Sequence, residues 1–149
     1  MSATGDPADA QASADAMAAA MFGRDRASRA LGMELLSVVP GRASMRMKVR
    51  EDMLNGHQIC HGGVLFSLAD STFAFACNSY NIPSVAAGAT IEFLRPVHLG
   101  DELTATAEEK IRARRSGLYD VTVTNQHGEL VAMFRGRSHH LKGSVVDTA

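Results

Sequence analysis

A chain of 149 residues fits one domain, with one core and one site as the default. With 46% apolar residues and a formal charge of -1, it lacks the basic excess that would hold nucleic acid or an anionic membrane. The first sixteen residues carry Asp6, Asp9 and Asp15 but no basic residue and no long apolar run, so no secretory signal is read there and the cytoplasm is the expected compartment.

Residues 1–12, rich in Ala, Ser, Asp and Gly, offer too little burial to offset their ordering entropy and are expected to form a disordered tail. From Ser13, an expected N-cap, to about Ala30 the alanines with Met17, Met21 and Phe22 predict a helix interrupted at Gly23. A strand over 34–39 meets the turn pair Pro40-Gly41. Ala43, Met45, Met47 and Val49 then alternate with Ser44, Arg46, Lys48 and Arg50, which predicts a hairpin with one wet face. After a loop over 51–61, Val64 to Cys77 is apolar nearly all round, broken by Ser67, Asp70, Ser71 and Thr72. That pattern predicts a helix buried on most sides and too short to span a bilayer.

Four further strands are predicted at roughly 84–94, 102–112, 117–125 and 129–141, separated by Leu99-Gly100-Asp101, Ser116-Gly117 and His127-Gly128. The clearest alternations are Leu103, Ala105, Ala107 and Tyr119, Val121, Val123. Such short polar turns favour antiparallel hairpins over crossovers. With 144–149 as a second tail, a single domain is expected over 13–143. Two strands, a long apolar helix and four strands make an α+β fold: a long central helix wrapped by an antiparallel sheet of about six strands, the hotdog arrangement.

The segment 55–70 holds nearly every unusual polar choice. Asp70, among Leu68, Ala69, Phe73 and Ala74, is costly to bury without a partner or a task. It can lie on a narrow polar stripe with Ser67 and Ser71, satisfied by hydrogen bonds or a partner's arginine. Alternatively it is a general base, its pKa lifted by apolar surroundings, that takes a proton from water. Direct attack of the carboxylate on an acyl carbon, giving an anhydride, is a third route.

Gly62 and Gly63 stand where the helix begins, so their N–H groups form either an oxyanion hole at the positive end of the helix dipole or merely a tight turn. Asn55 can hold a carbonyl or the attacking water, or serve an ordinary turn with Gly56. His61 can bond the loop or join the oxyanion site. His57 and His61 share a metal-pair spacing, yet no third ligand is near, so no metal is expected. No GxSxG elbow is present, Cys60 beside His61 is not read as a catalytic pair, and Cys60 and Cys77 are expected to be reduced. His139 and His140, with Arg135 and Arg137, read as a solvated edge.

The run His61-Gly62-Gly63, followed by Phe66, Leu68, Ala69 and Asp70, resembles the phenylacetic-acid-degradation thioesterases of the hotdog superfamily. Phe75-Ala76-Cys77-Asn78-Ser79, Phe93-Leu94-Arg95-Pro96, Gly117-Leu118-Tyr119-Asp120 and 134–139 extend the resemblance over roughly residues 25–143. It implies hydrolysis of phenylacetyl-CoA, a ring-hydroxylated relative or a related acyl-CoA, with no cofactor because coenzyme A is part of the substrate. It implies Asp70 as the catalytic carboxylate, Gly62 as the oxyanion donor, Asn55 as the residue positioning water or thioester, and His61 as a supporting member. It further implies coenzyme A contacts near Gly63, Arg95, Arg115, Ser116, Gly117 and Arg137, and a homotetramer built from dimers. One departure stands out: the family often has a serine or threonine on the strand after the helix, whereas Val85-Ala86-Ala87-Gly88-Ala89 is apolar until Thr90.

Two other functions compete: an enoyl-CoA hydratase or dehydratase of the same fold, which His61 makes conceivable, and a non-catalytic acyl-CoA-binding protein. Geometry adds one expectation. Gly62 and Asp70 lie eight residues apart on one predicted helix, roughly 12 Å along its axis. Attacking water and carbonyl must come within about 3–3.5 Å. The two groups are therefore expected to meet across a two-fold axis, with the homodimer as the minimal enzyme.

Overall fold

The computed structural model describes residues 5–147. Among them, three helices and six strands follow in the order α1 (Pro7–Arg24), α2 (Arg26–Ala30), β1 (Glu34–Val39), β2 (Arg42–Lys48), α3 (Gly62–Cys77), β3 (Ser84–Phe93), β4 (Glu102–Arg112), β5 (Ser116–Thr124) and β6 (Leu130–His140), with a 3₁₀ turn at Glu51–Met53. No described helix is long and apolar enough to cross a membrane.

The period-2 segments behave as their patterns require. Ala43, Met45 and Met47 of β2, Leu103, Ala105 and Ala107 of β4, and Tyr119, Val121 and Val123 of β5 all point into the core, while Arg42, Arg46 and Lys48 face water. All strand pairs are antiparallel and the sheet order is β1-β2-β4-β5-β6-β3. It wraps α3, whose Leu65, Leu68, Ala69, Phe73, Phe75 and Ala76 are buried, and Phe73 meets Tyr119 and Phe134 in edge and tilted ring contacts.

The sheet order corrects the expectation of successive hairpins. β3 does not pair with β4; it crosses to the far edge and pairs with β6, Phe93 opposite Ala132. The turn at 99–101 closes instead on the end of β2, where Gly100 N–H donates to Val49 O and Val49 N–H to Asp101 O, both at 2.9 Å.

The expected tails are also largely ordered. Residues 1–4, 148 and 149 lie outside the described residues, but α1 begins at Pro7, capped by Asp6 rather than Ser13: the Asp6 carboxylate accepts from Ala8 N–H at 3.0 Å. Gln11 Nε2 donates to Val38 O at 2.9 Å, Ala14, Met17 and Ala18 are buried, and Phe22 reaches Phe75. The helical run breaks at Asp25, two residues after Gly23. At the other end, Asn81 pins Val146 through both backbone groups at 2.8 and 3.0 Å, so residues 144–147 are tied back rather than free.

Candidate active site

The chain enters α3 from a loop that Asn55 organises. Asn55 Oδ1 accepts from His57 N–H at 2.9 Å and Ile59 N–H at 3.4 Å, and its backbone N–H donates to Ile59 O at 2.8 Å. The oxygen end of Asn55 therefore builds the turn, and its amide NH₂, which has no partner among the described residues, remains to meet a ligand. His61 is the N-cap of α3: its Nδ1 accepts from Gly63 N–H at 2.9 Å, and its backbone oxygen accepts from Val64 and Leu65. A ring that accepts at Nδ1 carries its proton on Nε2. Gly63 is thus already engaged. Gly62 N–H has no partner among the described residues, and it sits at the positive end of α3.

Gly62 and Asn55 line one cleft of about 390 Å³ together with Ile59, Cys60, Leu65, Phe93, Leu94, Arg95, Pro96 and Val97. Its walls are apolar apart from the two amides and Arg95, which stands 3.7 Å from Glu129. A Cβ on Gly62 would come within 2.9 Å of the Phe93 ring, so the missing side chain lets that ring lie over the helix start. Burial, reinforced by Asp101, pushes the Cys60 thiol up to about 11, so it is protonated at neutral pH and no nucleophile.

Asp70 lies elsewhere. It borders a separate cavity of about 260 Å³ with Met21, Phe73, Ala74, Cys77, Asn78, Ser84, Val85 and Ala86. Burial, and secondly the nearby Asp25 carboxylate, raise its pKa above the ordinary carboxylate range. Within one chain the Asp70 carboxylate is not satisfied by the stripe: Ser67 Oγ donates to Gly63 O, Ser71 pairs with Ser28, and no donor reaches Asp70 among the described residues. Of the two hydroxyls on the following strand, Ser84 borders the Asp70 cavity and is committed to Ile82 O at 3.0 Å, whereas Thr90 does not line it.

The residues expected to contact coenzyme A are scattered over one chain. Arg95 shares the Gly62 cleft, whereas Arg115 lines a third cleft with Ile82, Arg114, His139, His140, Leu141 and Lys142. Ser116 pairs opposite His139, and Arg137 donates to Ala87 O at 3.3 Å. Gly117 is buried: a Cβ there would lie 2.8 Å from the Tyr119 ring and 3.0 Å from Ser138 Oγ, so its smallness serves packing. Among the described residues, no group of three or more His, Cys, Asp or Glu is placed to hold a metal ion. Sequence reasoning missed the local cap that Asp25 makes with Ser28 and the bond from Ser28 to Ser71, which exists only once α2 is folded against α3, and it saw the Phe93 wall only as part of a resemblance.

The model of a family described as "Thioesterase superfamily" matches residues 57–132, which include Gly62 and Asp70 but not Asn55. The acyl-coenzyme A thioesterase PaaI of Escherichia coli is 48% identical over 130 residues, 87% of this chain and 93% of its own length. The structure of the E. coli PaaI protein from the phenylacetic acid degradation operon superposes with a TM-score of 0.88 at 47% identity, covering 90% of this chain and 97% of that one. The smu.793 protein of Streptococcus mutans, solved bound to acetyl CoA, superposes with a TM-score of 0.72 at 27% identity over 75% of this chain and 90% of that one. The hotdog fold, the helix-start amide and the half-buried carboxylate thus sit in a chain that belongs to the thioesterase superfamily.

Proposed function

We propose that this chain hydrolyses acyl-CoA thioesters, with phenylacetyl-CoA or a ring-hydroxylated relative as the favoured substrate. The observation that carries this reading is the unpaired Gly62 N–H at the start of α3, opening on an apolar cleft that Asn55 and Arg95 share. An acyl group fits the apolar walls, and its carbonyl oxygen accepts from Gly62. As water attacks, the charge that develops on that oxygen meets a donor already fixed by the helix. Asp70 takes the water's proton, and collapse of the tetrahedral intermediate expels the thiolate of coenzyme A, to which that proton is returned. Similarity to PaaI supports the aryl-acetyl preference, and the acetyl CoA held by the S. mutans protein supports the substrate class.

In this reading the site is completed by a second copy of the chain. β3 is a ten-residue edge strand with one side unpaired, and Val85, Ala86, Ala87, Ala89 and Phe93 are exposed on it. Neither lysine nor proline protects that edge. Antiparallel pairing of two β3 strands sets the Phe93 end of one chain, with Gly62, beside the Val85 end of the other, with Asp70. Arg115 and Arg137 of the second chain then lie at the same end as Arg95 of the first, where they can meet phosphates. The proposed unit is a homodimer, assembled further into a homotetramer. A thiol-release screen over phenylacetyl-, hydroxyphenylacetyl-, benzoyl-, hexanoyl- and crotonyl-CoA tests the proposal. Release of free coenzyme A, fastest from the aryl-acetyl thioesters, is expected. Hydration of crotonyl-CoA without thiol release, or binding without turnover, would instead make the chain a hydratase or a binding protein.

A further inference from the structure

The last turn of α1 reaches the cavity that Asp70 borders. Ala14, Met17 and Ala18 bury this helix in the core, and Phe22 holds its end against Phe75, with ring centroids 6.2 Å apart. Residues four apart share a helix face, so Met21 stands one turn beyond the wholly buried Met17 on the same side. There it is only partly buried: it packs on the edge of the core and walls the Asp70 cavity. The next helix, α2, is bonded to α3 through Ser28 Oγ and Ser71 Oγ at 2.7 Å, so the chain is fastened on both sides of Met21. On α3, Phe73, Ala74 and Cys77 follow Asp70 by three, four and seven residues and share its face of the helix, and Val85 and Ala86 of β3 add the wall at the sheet edge.

We infer that Met21 is a specificity-determining residue: the end of the acyl group remote from the carbonyl enters the Asp70 cavity, and α1 sets through Met21 how large that end can be. The inference rests on the reading of Asp70 as the base of a shared site, in which the Gly62 cleft of one chain opens on the Asp70 cavity of the other. A general base reaches the thioester carbon through one water, so a substituent of that carbon lies against the cavity. At about 260 Å³ the cavity falls below the roughly 300–1,000 Å³ that takes a whole ligand, so it receives one end of a substrate. The coenzyme A arm is long and ends in phosphates, whereas no cation lines this cavity and its one charged group is Asp70 itself. Arg95 gives the arm a cationic exit from the Gly62 cleft instead. The acyl group is the substituent that ends here. A flexible thioether adapts to a flat ring and makes favourable sulfur–aromatic contact, so a Met21 wall suits an aryl-acetyl end.

The test is kcat/KM by thiol release from acetyl-, phenylacetyl- and naphthylacetyl-CoA in the wild type, Met21→Ala, Met21→Phe and Met17→Leu. Acetyl-CoA has no acyl end to reach the cavity, so it reports on the catalytic groups alone and serves as the reference. Met21→Ala should lower the ratio of phenylacetyl- to acetyl-CoA by about tenfold, the scale on which a hydrophobic pocket senses lost contact, and should raise the ratio for the larger naphthylacetyl-CoA. Met21→Phe, which narrows the cavity, should lower both ratios, naphthylacetyl-CoA the more. Met17→Leu conserves volume one turn back on the same face and is the control; it should leave both ratios unchanged. A merely structural role for Met21 would move Tm and scale all three substrates together. Folded Met21→Ala and Met21→Phe chains that both keep the wild-type ratios therefore overturn the inference. If the wild type releases no thiol from any of the three, or Asp70→Asn keeps wild-type kcat, the reading of the site fails and the inference with it, an outcome distinct from a working enzyme whose ratios ignore Met21.

Discussion

If oxyanion donor and base come from different protomers, two inactive chains can repair each other. Gly62→Pro deletes the donor with little harm to the fold. Position 62 is the first residue of α3, where proline is favoured, and His61 before it has φ -60° and ψ 133°, the extended geometry a following proline demands. A Cβ at position 62 would come within 2.9 Å of the Phe93 side chain, which is 53% exposed. Gly62→Ala makes the same contact but keeps the N–H, so the difference between the two variants isolates the donor. Each of Gly62→Pro and Asp70→Asn alone should retain roughly 10⁻² of wild-type kcat or less. After subunit exchange at equal concentrations, half the dimers are mixed. In each mixed dimer one site carries both defects and the other carries none, so the mixture should recover about one quarter of wild-type specific activity. Thiol release from phenylacetyl-CoA before and after exchange, with the heterodimer isolated by two affinity tags, measures this directly. Verified heterodimers no more active than their folded, dimeric parents would refute the shared site.

At neutral pH, Asp70→Asn should raise Tm while it lowers kcat. The folded-state pKa of Asp70 lies above its unfolded value of about 3.9, so between the two the folded chain binds more protons and stability falls as pH rises. The Tm gain should therefore be present above that window and vanish below the unfolded value; an equal gain at all pH values would contradict the linkage. Gly136→Ala should cost about 1–3 kcal/mol in denaturant unfolding, because its methyl would lie 2.9 Å from the rings of Phe134 and Phe73, both almost fully buried. Dialysis against a chelator should leave the hydrolysis rate intact, and strict recovery with zinc or manganese would overturn a mechanism that activates water with a carboxylate alone.

Where the fold was legible, a local pattern carried a global consequence. The alternation in β2, β4 and β5 and the all-round apolar run of α3 each name a buried face, and a buried face allows only one way of packing. The pairing of β3 was not legible for the converse reason. The turn at 99–101 has ordinary hairpin chemistry, and its residues carry no sign that their partner is Val49 rather than β3. The beginning of α1 was misread although its signals are present in Asp6 and Pro7. Low apolar content over 1–12 suggested disorder, but Gln11 anchors that turn to Val38 through one polar bond that no periodicity reveals.

The site divides along the same line. Asp70, Gly62 and Asn55 stand out in the sequence because each residue type is at odds with its setting. Asp25 does not: between Arg24 and Arg26 it reads as one charge among others on a wet surface, and only folding joins it through Ser28 to α3. The relation of Gly62 to Asp70 is further removed still, since one chain holds them in different cavities. On the dimer reading, the β3 edge that exposes Val85, Ala86, Ala87 and Ala89 supplies what is missing. A largely apolar edge without lysine or proline favours pairing with its own copy, and the pairing that hides it is also the one that carries each Asp70 toward the other chain's Gly62. Burial of the edge and assembly of the site are then a single event, so a substitution that weakens β3 pairing lowers activity even though it touches neither the base nor the donor.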